Sequence, residues 1–148
     1  MLIRCISSTV AMLLAGTVCA SVIRHDQPDS AYTSLAAQPS FASAGLMTFN
    51  GSICSGTLIA PGWFLTAAHC VTNSSGQIDI VPAATTIRIG LDTCTVTNVV
   101  VHPQWTGSNY LDGVDLALVR LSSDITSANP ATISTITDVR GRTAIFHG

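Results

Sequence analysis

Two side chains in this sequence could share a proton in catalysis: His69, in Leu65-Thr66-Ala67-Ala68-His69-Cys70, and Asp115, in Gly113-Val114-Asp115-Leu116-Ala117-Leu118-Val119-Arg120-Leu121. An imidazole exchanges protons near neutrality, because its unperturbed pKa is about 6.5. It works better as a base when a carboxylate fixes its tautomer and stabilises its cation. Asp115 suits that task, since it enters an otherwise apolar run where an isolated charge would be costly to bury. Asp112 falls in the preceding loop and reads as a solvent-facing residue. The small Ala67 and Ala68 allow a tight turn and leave room for the ring. Cys70 can anchor that turn where the compartment is oxidising. His25, in Arg24-His25-Asp26, has no second ligand at a useful spacing, so no metal is expected, and no organic cofactor is implied.

Strands must position these residues. The sequence is rich in Thr, Ser, Val, Ile, Gly and Pro, which favours an all-β domain with many turns. Its six cationic residues are all Arg and its eight anionic residues all Asp. Without Lys or Glu, long exposed helices are not expected. Strands are predicted over residues 43–49, 52–60, 63–66, 87–91, 95–101 and 114–121, with one helical turn over 67–70. Asn50-Gly51 is the strongest hairpin signal in the chain. Six strands at this spacing suggest a closed antiparallel barrel. Asn50-Gly51-Ser52 and Asn73-Ser74-Ser75 also fit the N-glycosylation pattern, with a turn and a loop as their default reading.

The length of 148 residues favours one domain, and with 47% hydrophobic residues it can bury a core. A net charge of −2 argues against a nucleic-acid partner. Residues 1–20 read as a signal peptide: a positive start, an apolar stretch clearest over 10–18, and a small-residue cleavage site after Ala20. That run is shorter than the roughly 20 apolar residues of a membrane span, and no later stretch is longer, so no membrane partner is expected. The mature chain is expected to be secreted and extracellular. Of the five cysteines, Cys5 and Cys19 leave with the signal peptide. Cys54 and Cys70 are the pair expected to bond, closing a loop of about 15 residues worth roughly 3 kcal/mol. Cys94 is then left alone. Residues 21–41 read as an extended surface leader, 42–132 as the barrel, and 133–148 as a linker that enters a further strand.

Several segments together resemble the trypsin/chymotrypsin-like serine proteases. Gly62-Trp63-Phe64-Leu65-Thr66-Ala67-Ala68-His69-Cys70 resembles their histidine box. Asp115-Leu116-Ala117-Leu118-Val119-Arg120-Leu121 resembles the box that carries the triad acid, and it stands 46 residues after His69, about where that family has it. Cys54-Ser55-Gly56-Thr57-Leu58-Ile59 resembles the strand whose Cys bonds the one after the histidine, which again implies Cys54–Cys70. Val101-His102-Pro103 with Trp105 resembles the His-Pro segment between the boxes, which makes His102 structural. Phe146-His147-Gly148 stands where the family begins its second barrel, and His147 is given no catalytic role.

The resemblance implies a secreted serine endopeptidase of two barrels, of which residues 42–148 would be the first barrel and the connection to the second. His69 and Asp115 would be two members of its Ser-His-Asp triad, and a polypeptide its substrate once the second barrel is present. Two departures qualify this. The family's Gly-Asp-Ser-Gly-Gly loop, source of the nucleophile and the oxyanion hole, does not occur. Ser52, Ser55 and Ser108 lack the flanking pattern of a nucleophile. Nor is there an Ile-Val-Gly-Gly-like activation segment between Ser21 and Phe49. The chain is therefore expected to be a fragment inactive alone. The alternative is a binding module that keeps the barrel without the chemistry; an extracellular β domain unrelated to proteases ranks last.

Overall fold

A computed structural model describes residues 26–136, 138, 140 and 141. The signal peptide and its cleavage site, Cys5, Cys19, His25, His147 and the expected strand entry at 142–148 lie outside the described residues.

Six antiparallel strands form a closed barrel: β1 (Ala44–Phe49), β2 (Ser52–Ala60), β3 (Trp63–Thr66), β4 (Thr86–Ile89), β5 (Asp92–Val101) and β6 (Ala117–Leu121), in the spatial order β1-β2-β3-β6-β5-β4. The all-β class and the six-stranded barrel expected from the sequence are what the chain forms. β1 and β2 meet through Asn50-Gly51, both at positive φ (47° and 78°), with Phe49 opposite Ser52. This is the primed two-residue turn whose twist matches that of the flanking strands. The register shifts between Leu58 and Ala60 in β2 and between Val96 and Asn98 in β5. Such shifts bend a strand and increase its twist, which helps a small sheet close on itself.

Alternation along the strands fills the interior. In β6, Ala117, Val119 and Leu121 are buried, and β4 contributes Ile87 and Ile89. Met47, Leu58 and Phe64 are the largest of the fully buried side chains. Each such side chain contributes roughly 1.5–3 kcal/mol by leaving water. β3 lies between β2 and β6, pairing Thr66 with both Gly56 and Ala117. The histidine turn that follows β3 and the aspartate that precedes β6 therefore emerge at the same end of adjacent strands.

Three expectations need correction. Residues 29–36, predicted as extended, form helix α1 (Asp29–Ala36), with no buried residue. Pro28 is extended and cannot itself add an N–H, Asp29 faces the helix dipole in the first turn, and Ala31, Leu35 and Ala36 are good helix formers. The β4–β5 boundary is displaced: the fourth strand ends at Ile89 rather than residue 91 and the fifth begins at Asp92 rather than residue 95, because Gly90 at φ +56° and Leu91, 94% exposed, form a tight turn. The last strand begins at Ala117, not residue 114. The Leu116 N–H bonds back to the Val114 carbonyl at 2.8 Å, which turns the chain at Asp115 before pairing starts. Among the described residues no helix is long and apolar enough to cross a membrane.

Candidate active site

The turn that carries His69 is built from both sides. Ala68–Cys70 is a single 3-10 turn, close to the expected 67–70, with Ala68 and Cys70 buried and His69 pointing outward. At its start the Thr66 hydroxyl donates to the Ser55 carbonyl at 2.8 Å, tying the end of β3 to β2. At its end Cys70 is bonded to Cys54, across 6.3 Å between Cα atoms, so the expected disulfide is the one formed. Just beyond, the Thr72 hydroxyl donates to the Ala68 carbonyl at 2.9 Å.

Asp115 reaches this turn from the approach to β6 and meets His69 twice. The His69 backbone N–H donates to Oδ1 at 2.9 Å, and Nδ1 lies 2.7 Å from Oδ2. An ionised carboxylate can only accept, so Nδ1 carries the proton of this bond. In the neutral ring the basic lone pair is then on Nε2. The side chains are 49% exposed for His69 and 19% for Asp115, so the acid is sheltered while the ring stays open to solvent. A short, charge-assisted bond to a sheltered carboxylate is stronger than a neutral one. Nε2 is 3.6 Å from Cys70 Sγ, which is in a disulfide and has no proton to give. No serine hydroxyl is among the described partners of His69.

The sequence matches the family model described as Trypsin over residues 33–143. The chain belongs to the trypsin family. It is similar to chymotrypsin-like elastase family member 1 of Macaca fascicularis, 38% identical over 76 residues that cover 49% of this chain and 28% of that protein. The Homo sapiens protein of the same description is 37% identical over 76 residues, covering 49% of this chain and 29% of its own length. The Rattus norvegicus one is 35% identical over 78 residues, covering 51% and 29%. The chain thus spans less than a third of the length of these relatives.

Within this trypsin-family chain, other residues singled out in the sequence lie apart from the pair. The His102 Nδ1 accepts from the Gln104 N–H at 3.3 Å, its carbonyl accepts from the Trp105 N–H, and its N–H donates to the Leu116 carbonyl. His102 therefore shapes the loop before Asp115. Cys94 is buried, with Sγ 3.0 Å from the Ser123 hydroxyl. The Asn73 carboxamide oxygen accepts from the N–H groups of Ser75 and Gln77, in keeping with the loop reading of its segment. Among the described residues no group of three His, Cys, Asp or Glu is placed to hold a metal ion. No motif marks Tyr110, yet its ring centroid sits 5.8 Å from that of His69. An aromatic in a turn-rich segment gives no periodic signal, so only the fold could bring it to the site.

Proposed function

We propose that this chain is the part of a secreted serine endopeptidase that carries the general base and the acid that orients it. One observation carries the reading: Asp115 engages His69 through both carboxylate oxygens, holding Nδ1 as donor and leaving the lone pair on Nε2 of a half-exposed side chain. Family membership supports the same class of reaction. The nucleophilic serine and the oxyanion-hole N–H groups come from polypeptide outside these 148 residues, since no Gly-Asp-Ser-Gly occurs within them.

The steps follow from the proton on Nδ1. As the serine oxygen attacks a peptide carbonyl, its proton passes to His69 Nε2. The imidazolium so formed faces the Asp115 carboxylate, which stabilises it. His69 then gives the proton to the leaving amine, and an acyl-enzyme remains. Water, deprotonated in turn by Nε2, releases the acid and restores the serine. In this reading 1–20 is a signal peptide, 42–132 the base-bearing barrel and 133–148 the connection onward. The Cys54–Cys70 disulfide supports an oxidising destination.

The test is to read the coding sequence past residue 148 and assay its whole product. A continuation into Gly-Asp-Ser-Gly is expected, with peptide hydrolysis that His69→Ala lowers by several orders of magnitude in kcat. A whole product with no such serine and no hydrolysis would overturn the reading in favour of a binding module.

A further inference from the structure

Asp115 holds the imidazole of His69 by one edge. A half-exposed ring held by one edge can still swing about its side-chain torsions, and every swing breaks the Nδ1 bond. The ring of Tyr110 lies against it, centroids 5.8 Å apart and planes inclined by 60°. Tyr110 is itself 54% exposed, so what it can do depends on how firmly its loop is fixed.

That loop is fixed in three ways. Trp105, 7% exposed, meets the Tyr110 ring edge-on at 5.1 Å and 74°, and its indole N–H donates to Thr72 Oγ1 at 2.9 Å. The Asn109 side chain spans the loop. Its Oδ1 accepts from the N–H and the hydroxyl of Thr106, both at 2.9 Å, and its Nδ2 donates to the Gln104 carbonyl at 3.0 Å. Gly107, at φ +91°, lets the loop press on its neighbour, since a Cβ there would overlap the Ser74 carbonyl. Thr72 is the pivot, because the hydroxyl that accepts from Trp105 also donates to the carbonyl of Ala68, the residue before the histidine. The path runs from Ala68 through Thr72, Trp105 and Tyr110 back to His69. It begins and ends on one turn, so the buttress moves with the ring it supports.

We propose that Tyr110, fixed by Trp105 and Thr72, is a positioning residue that keeps the His69 imidazole turned toward Asp115. This rests on the reading of His69 as the general base. Tyr110 does so by blocking the swing of the ring on one face and by shielding the Nδ1 bond from water on that side. Pre-set orientation of this kind is what a catalytic group needs from its supporting shell.

The measurement is the solvent-exchange rate of the His69 Nδ1–H, read by NMR on the isotope-labelled 148-residue chain. Tyr110→Ala removes an exposed ring without emptying the core, and it is expected to raise the exchange rate several-fold. Tyr110→Phe, which keeps the ring, is expected to restore the original rate. Thr72→Val, which keeps the shape and removes the hydroxyl, is expected to move the rate in the same direction as Tyr110→Ala. An unchanged rate in Tyr110→Ala, in a chain where Asp115→Asn still abolishes the slowly exchanging proton, would overturn the positioning role alone. If Asp115→Asn also leaves that proton unchanged, the His69–Asp115 pair itself fails, and the proposal with it.

Discussion

Two oxygen atoms of Asp115 do different work. Oδ1 fixes the His69 backbone and Oδ2 fixes the ring, so the carboxylate sets both the position and the tautomer of the imidazole. Asp115→Asn separates these effects. Its amide keeps the size but can offer an N–H where the ring needs an acceptor, which favours the wrong tautomer. If His69 is the general base proposed above, kcat of the whole gene product should fall on the order of 10⁴-fold, the scale of this change in a Ser-His-Asp triad, with little change in KM. Steady-state kinetics on a peptide substrate checks this, and a loss confined to KM would contradict it. At this scale the sequence was informative where a motif was: His69, Asp115, Cys54 and Cys70 could all be named from flanking residues. Tyr110 and Thr72 could not, because their roles arise from contacts between loops that share no motif.

At the scale of elements, the site depends on strands that carry no chemistry. β3 places the histidine turn, and Phe64 within it is fully buried. Phe64→Ala should cost about 3–5 kcal/mol in urea denaturation, through lost burial and the cavity left behind. Removing the disulfide with Cys54→Ser and Cys70→Ser together should cost roughly 3 kcal/mol by freeing the unfolded chain. A second tie is acid-sensitive. Asp92 Oδ2 accepts from the backbone N–H groups of Thr126 and Ser127 at 2.7 and 2.8 Å, pinning the segment after β6 to the β4–β5 hairpin. These bonds, Ser127 first, hold its carboxyl below its ordinary 3.8. A carboxyl lowered in the folded state stabilises above its unfolded value and loses that contribution as pH falls below 3.8 toward the folded one. Thermal melts from pH 6 downward should therefore show a steeper acid loss for the native chain than for Asp92→Asn, and parallel curves would refute the tie. Strand existence was legible from alternation and turn residues. The differences at residues 29–36, 90–94 and 114–116 arise where local turn geometry or helix propensity overrides the residue pattern.

For the molecule as a whole, the barrel closes on itself and leaves no free strand edge among the six strands. Exposed apolar side chains are spread over the surface, Leu91, Ile53 and Ile133 among them, and one group lies in the stretch leading to and past Asp115: Leu111 is fully exposed, Tyr110 54% and Leu116 44%. If the serine-bearing polypeptide covers that surface, the 148-residue chain alone should self-associate. Leu111→Ser should then reduce the association in sedimentation velocity without lowering the melting temperature. A strictly monomeric native chain would weigh against a missing partner segment. The most direct measurement of the central claim is peptide hydrolysis by the purified 148-residue chain and by the whole product of its gene, each with native His69 and with His69→Ala. No hydrolysis is expected from the 148-residue chain in either form, and hydrolysis by the whole product is expected to be lost with His69→Ala. Hydrolysis by the 148-residue chain alone, lost with His69→Ala, would contradict that claim by placing the nucleophile within these residues.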